Sequence, residues 1–304
     1  MTILLPEAQI LPPTAAPQPY HRLGHTARHR WWRPILGTLL ILVGTPVALI
    51  GAFGAVSALV WLFGGPEDLL VIGTTTETDL ALTMVSLAVL IPAAMVAAWW
   101  VQRRPAGTVS SVAGRLRWRW LMVCVLLAVP VLGLSIALFS LLPGESVDAS
   151  WVGWQRLAIG LAVVVLLVPL QAAGEEYLFR GWLVQAAGSW FRSPWPGIAL
   201  SALLFALAHG IGSVWGMVDL IFFGVVTAVV TIRTGGLEAA IALHVVNNVA
   251  ALGLAVVTGT LDAPPTAADM AAAAAFVDMA LISLYGVLVL WMARRRGVQT
   301  HTLV

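Results

Sequence analysis

Long runs of apolar residues, separated by short polar segments, occupy most of the chain beyond residue 34. A helix needs about 20 apolar residues to cross roughly 30 Å of hydrocarbon. The runs lack the alternation of apolar and polar positions that is typical of strands in a membrane barrel. The pattern predicts an all-α membrane protein, a polytopic bundle of about eight transmembrane helices whose fifth span is short. The predicted spans are Ile35–Phe63, Leu80–Val101, Trp120–Leu142, Trp151–Trp182, Gly197–His209, Val214–Ile232, Leu237–Thr258 and Ala271–Ala293.

The composition supports a membrane location and excludes a soluble globular protein. Hydrophobic residues make up 60% of the 304 residues and charged residues only 10%, with a mean hydropathy of +0.94, whereas soluble domains carry about 25% charged residues. The net charge of +2 is too small to indicate nucleic-acid binding. We therefore expect the lipid bilayer as a partner of one transmembrane domain at residues 34–293. A basic, proline-rich tail at residues 1–33 and a basic tail at residues 294–304 flank this domain.

The basic residues, all of them arginine, predict the orientation of the bundle. Arginines are concentrated in the N-terminal tail, in the loop after the second span and in the C-terminal tail, whereas the alternate loops carry acidic residues and no basic ones. Because cytoplasmic segments of membrane proteins are enriched in basic residues, we expect a multi-pass protein of the cell membrane with both termini in the cytoplasm. Arg156, near the external start of the fourth span, is the exception to this bias.

Ionisable side chains within the spans are few, and they indicate where function resides. Each costs roughly 3 kcal/mol at the centre of a bilayer, so such groups normally face the protein interior. The sequence assigns no function to Asp219 and Asp278, which lie towards the external ends of their spans. The ionisable residues within the predicted spans are Arg156, Glu175, Glu176, Arg180, His209, Asp219, Glu238, His244 and Asp278.

The fourth span carries two adjacent glutamates and an arginine. Glu176 and Arg180 are four residues apart with the acid on the N-terminal side, a spacing that favours an ion pair on one helix face. Glu175 points about 100° away around the helix and has no such local partner, which makes it a candidate for proton transfer. The alternative is a cytoplasmic helix end at which both acids reach water.

Further polar groups fall on the fifth and seventh spans. Phe205 and His209 share one face of the fifth span, and His244 and Asn248 lie one turn apart on the seventh. Alternatively, His209 is an interfacial or hydrogen-bonded histidine, and His244 and Asn248 form a hydrogen-bonded contact between helices. Together with Glu175, the two histidines and the amide predict a single polar site.

These motifs resemble those of the CAAX-protease and bacteriocin-processing (CPBP) family of intramembrane proteases, which includes the type II CAAX endopeptidases and the Abi proteins. The resemblance covers a protease-like core at about residues 151–258, and it implies about eight helices with the motifs on the fourth, fifth and seventh. The motifs are Glu175-Glu176-x-x-x-Arg180, Phe205-x-x-x-His209 and His244-x-x-x-Asn248.

The resemblance implies an intramembrane endopeptidase that hydrolyses a peptide bond of a membrane-associated protein or peptide. Glu175 would act as general base on a water molecule held jointly with His209. His244 and Asn248 would polarise the scissile carbonyl and stabilise the oxyanion. The residues with a supporting role would be Glu176 and Arg180.

The sequence leaves metal dependence open. Two histidines and one carboxylate are a common ligand set of catalytic zinc, with a fourth position for water. A divalent metal ion such as zinc would then be held by Glu175, His209 and His244. A metal-free mechanism based on the glutamate uses the same residues.

Other functions are also compatible with these residues. A non-catalytic membrane scaffold or a bacteriocin-immunity protein would use the fold without turnover, and a proton-coupled transporter would use the buried acids and histidines as relay groups. The sequence shows no repeated half of the kind that many transporters carry. A serine or cysteine protease is not favoured, because Cys124 has no histidine on its span and Ser201 precedes His209 on the same helix.

Overall fold

The computed structural model describes residues 16–63, 76–141, 149–261 and 267–303, and their regular secondary structure is helical apart from two isolated β-bridges. The predicted all-α class is confirmed. The first fifteen residues of the N-terminal tail, the last residue of the third predicted span and Val304 lie outside the described residues. The main helices are α1 (Arg33–Leu39, continued by Leu40–Gly44 and Thr45–Leu62), α2 (Thr76–Val101), α3 (Trp118–Phe139), α4 (Trp154–Trp190), α5 (Trp195–Ala208), α6 (Val214–Thr234), α7 (Glu238–Thr258) and α8 (Ala272–Arg295).

Seven of the described helices are long and apolar enough to cross a membrane. They coincide with seven of the eight predicted spans, and the short fifth span is the 14-residue helix α5. The 37-residue helix α4 runs past the predicted end of its span, because Val184–Trp190 remains helical and all of its residues except Trp190 are buried. The chain is thus a multi-pass membrane protein, while the exact number of crossings and the side of each terminus stay predictions.

Helix α4 changes its hydrogen bonding directly after the two glutamates. The segment Tyr177–Leu183 is π-helical, and all seven of its residues are buried. Such segments take i→i+5 hydrogen bonds and occur frequently at functional sites. Glu175, Glu176 and Arg180 therefore lie at the junction of two helical geometries, in the interior of the bundle.

Two glycines flank this junction and let other backbone segments approach α4. A Cβ atom at Gly174 would overlap the carbonyl oxygen of Leu87 in α2, and one at Gly181 would lie 2.7 Å from Cγ1 of Val109. Because only glycine leaves this space, α2 and the turn that contains Val109 pack directly on α4. This close packing fixes the position of the glutamates between the two glycines.

The start of α7 is tied to the loop that precedes α3. Glu238, fully buried in the first turn of α7, accepts hydrogen bonds from Arg117 Nε at 2.8 Å and from Nη2 at 2.6 Å. Arg117 also donates to the carbonyl oxygen of Thr234, at the end of α6, at 3.0 Å. A bidentate pair of this kind fixes geometry as well as charge, so it sets where α7 enters the bundle.

The described part of the N-terminal tail packs against α4 and the C-terminal tail. Tyr20 is completely buried, and Arg22 Nη1 donates to the carbonyl oxygen of Gly188 at 2.6 Å. Pro19 forms an antiparallel bridge with His301. The basic, proline-rich composition of this tail gives no indication that it is docked in this way.

Arg156, the exception to the arginine bias, has an acidic partner. Its Nε lies 2.7 Å from Oε1 of Glu77 in the first turn of α2. The pair joins α2 to α4, and it explains how an arginine is accommodated at this end of the helix.

Candidate active site

Two charged residues of α4, Glu176 and Arg180, form a buried ion pair. Glu176 and Arg180 have no exposed side-chain surface, and Arg180 Nη1 donates to Oε1 of Glu176 at 2.9 Å. The guanidinium carbon of Arg180 also lies 4.1 Å from the centre of the Phe205 ring and 5.5 Å from that of Phe223. The predicted i,i+4 pair is therefore present, and two aromatic faces add to the stabilisation of the arginine charge.

His244, from α7, lies between the two glutamates of α4. Its Nδ1 is 2.7 Å from Oε1 of Glu176, and its Nε2 is 3.6 Å from Oε2 of Glu175. Because an ionised carboxylate only accepts hydrogen bonds, the first contact places a hydrogen on Nδ1. In the neutral imidazole, Nε2 then carries the lone pair and faces Glu175.

The facing atoms of Glu175 and His244 do not form a direct hydrogen bond. Their separation of 3.6 Å is longer than a hydrogen bond. Two atoms this close can both contact one water oxygen that lies beside them.

Gln171 connects Glu175 to Asn248, the amide predicted for the site. Its Nε2 donates to Oε1 of Glu175 at 2.6 Å, and its Oε1 accepts from Nδ2 of Asn248 at 3.2 Å. Oε2 of Glu175 is buried without a hydrogen-bond partner. Gln171 therefore fixes one oxygen of Glu175 and leaves the other free to face His244. The sequence does not single out Gln171, because a lone neutral amide in an apolar span is not distinctive. Its i,i+4 spacing from Glu175 is the one signal that indicates a contact between the two side chains.

His209 joins the site through Phe205. The Phe205 ring centre lies 4.6 Å from the ring of His209 and 5.7 Å from that of His244. Helix α5 ends at Ala208 with His209 as its C-cap, and the next residue, Gly210, takes a φ of +86°. His209 Nδ1 donates to the carbonyl oxygen of Phe205 at 2.9 Å, which leaves Nε2 as the free nitrogen of a half-buried imidazole. The described hydrogen bonds and ion pairs of Glu175 involve Gln171 and His244, not His209.

The candidate metal ligands do not form a metal site as they are placed. Within the described ranges, no group of three or more His, Cys, Asp or Glu side chains could hold a metal ion. Nδ1 of His244 is bonded to Glu176, and Nδ1 of His209 to a backbone carbonyl. Each imidazole therefore keeps Nε2 for another partner, but within the described residues Glu175, His209 and His244 do not form a group that could hold a zinc ion.

Other polar residues of the spans lie away from this cluster. Asp219 and Asp278 are hydrogen-bonded to each other, between α6 and α8, so they form a separate buried contact. The Ser201 hydroxyl donates to the carbonyl oxygen of Phe179 at 2.9 Å, and Cys124 is buried in the core.

A helical bundle with a buried acid–histidine cluster defines a multi-pass membrane protein with a site suited to acid–base chemistry. The sequence model of the type II CAAX prenyl endopeptidase Rce1-like family matches residues 154–250, from the start of α4 into α7. The match includes every residue of the three motifs, and it confirms the resemblance to the CPBP family over this part of the chain.

The chain is also similar to the uncharacterized protein YyaK of Bacillus subtilis (strain 168), with 29% identity over 177 residues. The aligned region covers 56% of this chain and 59% of YyaK, so the chain matches less than two thirds of that relative's length. No solved structure matches the chain.

Proposed function

We propose that the protein is an intramembrane endopeptidase that hydrolyses a peptide bond of a membrane-associated protein or peptide. The observation that carries the proposal is the pairing of Glu175 Oε2 with His244 Nε2 at 3.6 Å inside the bundle. A carboxylate and an imidazole close enough for one water molecule beside them to contact both are suited to water activation.

Glu175 acts as the general base in this mechanism. Its free oxygen, Oε2, takes a proton from the attacking water as the water oxygen bonds to the scissile carbonyl carbon. The proton then passes to the amide nitrogen as the carbon–nitrogen bond breaks, giving a carboxylic acid and an amine. Gln171, which donates to Oε1 at 2.6 Å, keeps Oε2 directed at the reacting atoms.

His244 and Asn248 stabilise the oxyanion of the tetrahedral intermediate. Whenever Nε2 of His244 carries a hydrogen, that nitrogen is a hydrogen-bond donor beside Glu175. The Asn248 amide has two hydrogens, of which Gln171 takes one at 3.2 Å, so the other is available to the substrate. Donors directed at a developing oxyanion are among the largest contributions to catalysis.

His209 holds the attacking water from the side of α5. Because its Nδ1 donates to the Phe205 carbonyl, its Nε2 accepts a hydrogen bond from the water. Phe205 contacts both histidine rings and spaces them around the reacting atoms.

Glu176 and Arg180 have a supporting role. The Arg180 guanidinium donates to the Glu176 carboxylate, and the same carboxylate accepts a hydrogen bond from Nδ1 of His244. This fixes which imidazole nitrogen faces Glu175, as an acidic partner does for other catalytic histidines.

The proposed mechanism uses water and protein side chains without a metal ion. Metal dependence is tested by measuring peptide cleavage with and without a chelator that removes zinc. We expect turnover to persist, and restoration of lost turnover by added zinc would contradict this part of the proposal.

The orientation belongs to the same proposal, with both termini in the cytoplasm and the protein in the cell membrane. Cys124 is the single cysteine of the chain, so C124A gives a cysteine-free background for labelling intact cells with an impermeant maleimide. We expect R28C and R296C to react only after permeabilisation, and the external control S150C to react before it.

A cleavage assay in proteoliposomes tests the function. Wild type is presented with single-span reporter peptides, products are mapped by mass spectrometry, and E175A and H244A are compared with N247A, which changes an amide that faces away from the cluster. We expect cleavage by wild type and N247A only.

Two other outcomes would favour the other functions. Folded wild type that cleaves none of the peptides, with proton flux lost in E175A and H244A, would favour a transporter. An absence of both cleavage and flux would favour a scaffold or immunity protein. Cleavage that survives in both E175A and H244A would exclude the proposed site.

A further inference from the structure

A cavity of about 330 Å³ lies between the start of α1 and the end of α2, outside the site described above. Its walls include Leu36 and Leu40 of α1, Trp32 directly before α1, and Trp100 of α2. The cavity is therefore large enough for a small ligand, and most of its wall is apolar.

The other side of this cavity is strongly positive. Arg33 and Arg103 both line it, and the charged groups that act on Arg33 are Arg28, Arg30 and Arg103, all of them cations. Among the described residues, the ion pairs are made by other cations, not by Arg28, Arg30, Arg33 or Arg103. Like charges held close together repel one another, so an anion bound among them would be strongly stabilised.

Two details of the arginines support a built site. Nε of Arg33 is buried without a hydrogen-bond partner, so an acceptor brought to it by a ligand would satisfy an otherwise unpaired donor. Arg103 has a φ of +54°, and it is the one residue other than glycine with a positive φ in the part of the chain that the structure describes. This conformation favours glycine, yet it is taken by an arginine that lines the cavity.

The surroundings place the cavity at the level of lipid headgroups. Trp31, Trp99 and Trp100 are each at least 65% exposed around it, and exposed tryptophans at helix ends mark the interface between bilayer and water. A ligand there meets arginines on one side and apolar helix surface on the other. Basic pockets of this kind between transmembrane helices suit anionic headgroups.

We propose that this cavity binds an anionic phospholipid, with its phosphate group at Arg33 and Arg103 and its first acyl carbons against Trp32, Leu36 and Trp100. The site is distinct from the proposed catalytic cluster. It is connected to α4 through the opposite face of α1, where Thr38 accepts a hydrogen bond from Trp182 Nε1 at 2.9 Å. A bound lipid would therefore brace α1 against the π-helical segment of α4.

The test is a native mass spectrometry titration of the full-length protein with phosphatidylglycerol or phosphatidylcholine. The pocket variant R33Q/R103Q is compared with R115Q/R119Q, which removes the same charge from exposed positions outside the cavity. We expect phosphatidylglycerol to bind wild type and R115Q/R119Q equally and R33Q/R103Q about 30-fold more weakly. If the double variant does not fold, R33Q and R103Q alone should each lose about fivefold.

Three outcomes would overturn the proposal. Equal weakening in R115Q/R119Q would indicate general surface charge, and equal binding of phosphatidylcholine would remove the role of the anion. Complete competition by glycerol 3-phosphate would assign the cavity to a soluble phosphate rather than a lipid.

Discussion

Nδ1 of His244 and Nη1 of Arg180 donate to the same carboxylate oxygen, Oε1 of Glu176, at 2.7 Å and 2.9 Å. A single buried atom therefore ties the ion pair of α4 to the histidine of α7. The i,i+4 spacing predicts the ion pair of Glu176 with Arg180 within one helix. The same ion pair also orients the imidazole of His244, 68 residues further along the chain.

The first prediction concerns this shared oxygen. R180M keeps an unbranched side chain over Phe205 but removes the charge, so it leaves the Glu176 carboxylate buried with His244 as its remaining partner. We expect a loss of about 3–5 kcal/mol in the free energy of unfolding, measured by denaturation in detergent. R180M/E176Q should be more stable than R180M, because the uncompensated charge is gone. Wild-type stability of R180M, or a double variant less stable than R180M, would contradict this role.

The second prediction concerns Gln171. Q171L removes the hydrogen bonds to Glu175 and Asn248, so both side chains lose their fixed orientation. We expect kcat to fall about tenfold, as for the loss of roughly 1.4 kcal/mol. The control Q185L makes the same change at a buried position of α4 outside the cluster, where Gln185 donates to the carbonyl oxygen of Thr108. Equal kcat in the two variants, each corrected for its folded fraction, would show that Gln171 does not position the site.

The third prediction compares two adjacent amides. Asn248 bonds Gln171 in the cluster, whereas the neighbouring Asn247 is exposed and lines a small cavity by Asp278. Since an oxyanion donor contributes about 100-fold or more to kcat, we expect N248A to lose about that factor and N247A to remain within about threefold of wild type. Similar kcat values for the two variants would remove Asn248 from the mechanism.

The helices could be predicted from the sequence because the bilayer restricts the chain so strongly. Every backbone polar group must be paired in hydrocarbon, so each long apolar run becomes a helix. The ion pair of Glu176 with Arg180 could be predicted for a similar reason, since its geometry depends only on the pitch of one helix. The adjacent positions of Phe205 and His209 on one face follow in the same way.

The contacts between helices could not be predicted in this way. Helical periodicity does not show which way α4 and α7 turn towards each other, so it indicates neither that His244 lies between both glutamates nor that Gln171 bridges Glu175 and Asn248. The docking of Tyr20 is equally hidden, because it depends on residues far away in the sequence.

The fourth prediction concerns the docked N-terminal segment. His21 Nε2 donates to the carbonyl oxygen of Arg192 at 3.0 Å, and its Nδ1 is buried without a partner. Burial lowers the pKa of His21 from its ordinary value of 6.5, and the nearby Arg22 and His301 add to the shift. The folded segment then binds fewer protons than the undocked one, so its stability is complete above pH 6.5 and is lost as the pH falls towards the lowered pKa.

Hydrogen exchange checks this pH dependence. We expect the protection of residues 19–25 to be weaker in mildly acidic than in neutral buffer for wild type, and nearly constant for H21Q, whose amide can donate to Arg192 but does not titrate. Unchanged wild-type protection, or the same pH dependence in H21Q, would assign the effect to other groups.

The joint action of Glu175 as base and His244 as oxyanion donor in one catalytic step is tested most directly by a double-mutant cycle on kcat. Residues that act as one unit are not additive, so we expect E175Q and H244Q each to lose about 1000-fold and E175Q/H244Q to lose little more. The control E77Q should leave kcat unchanged, since Glu77 pairs with Arg156 outside the site. Near wild-type turnover of E175Q, or losses that multiply in the double variant, would contradict the account.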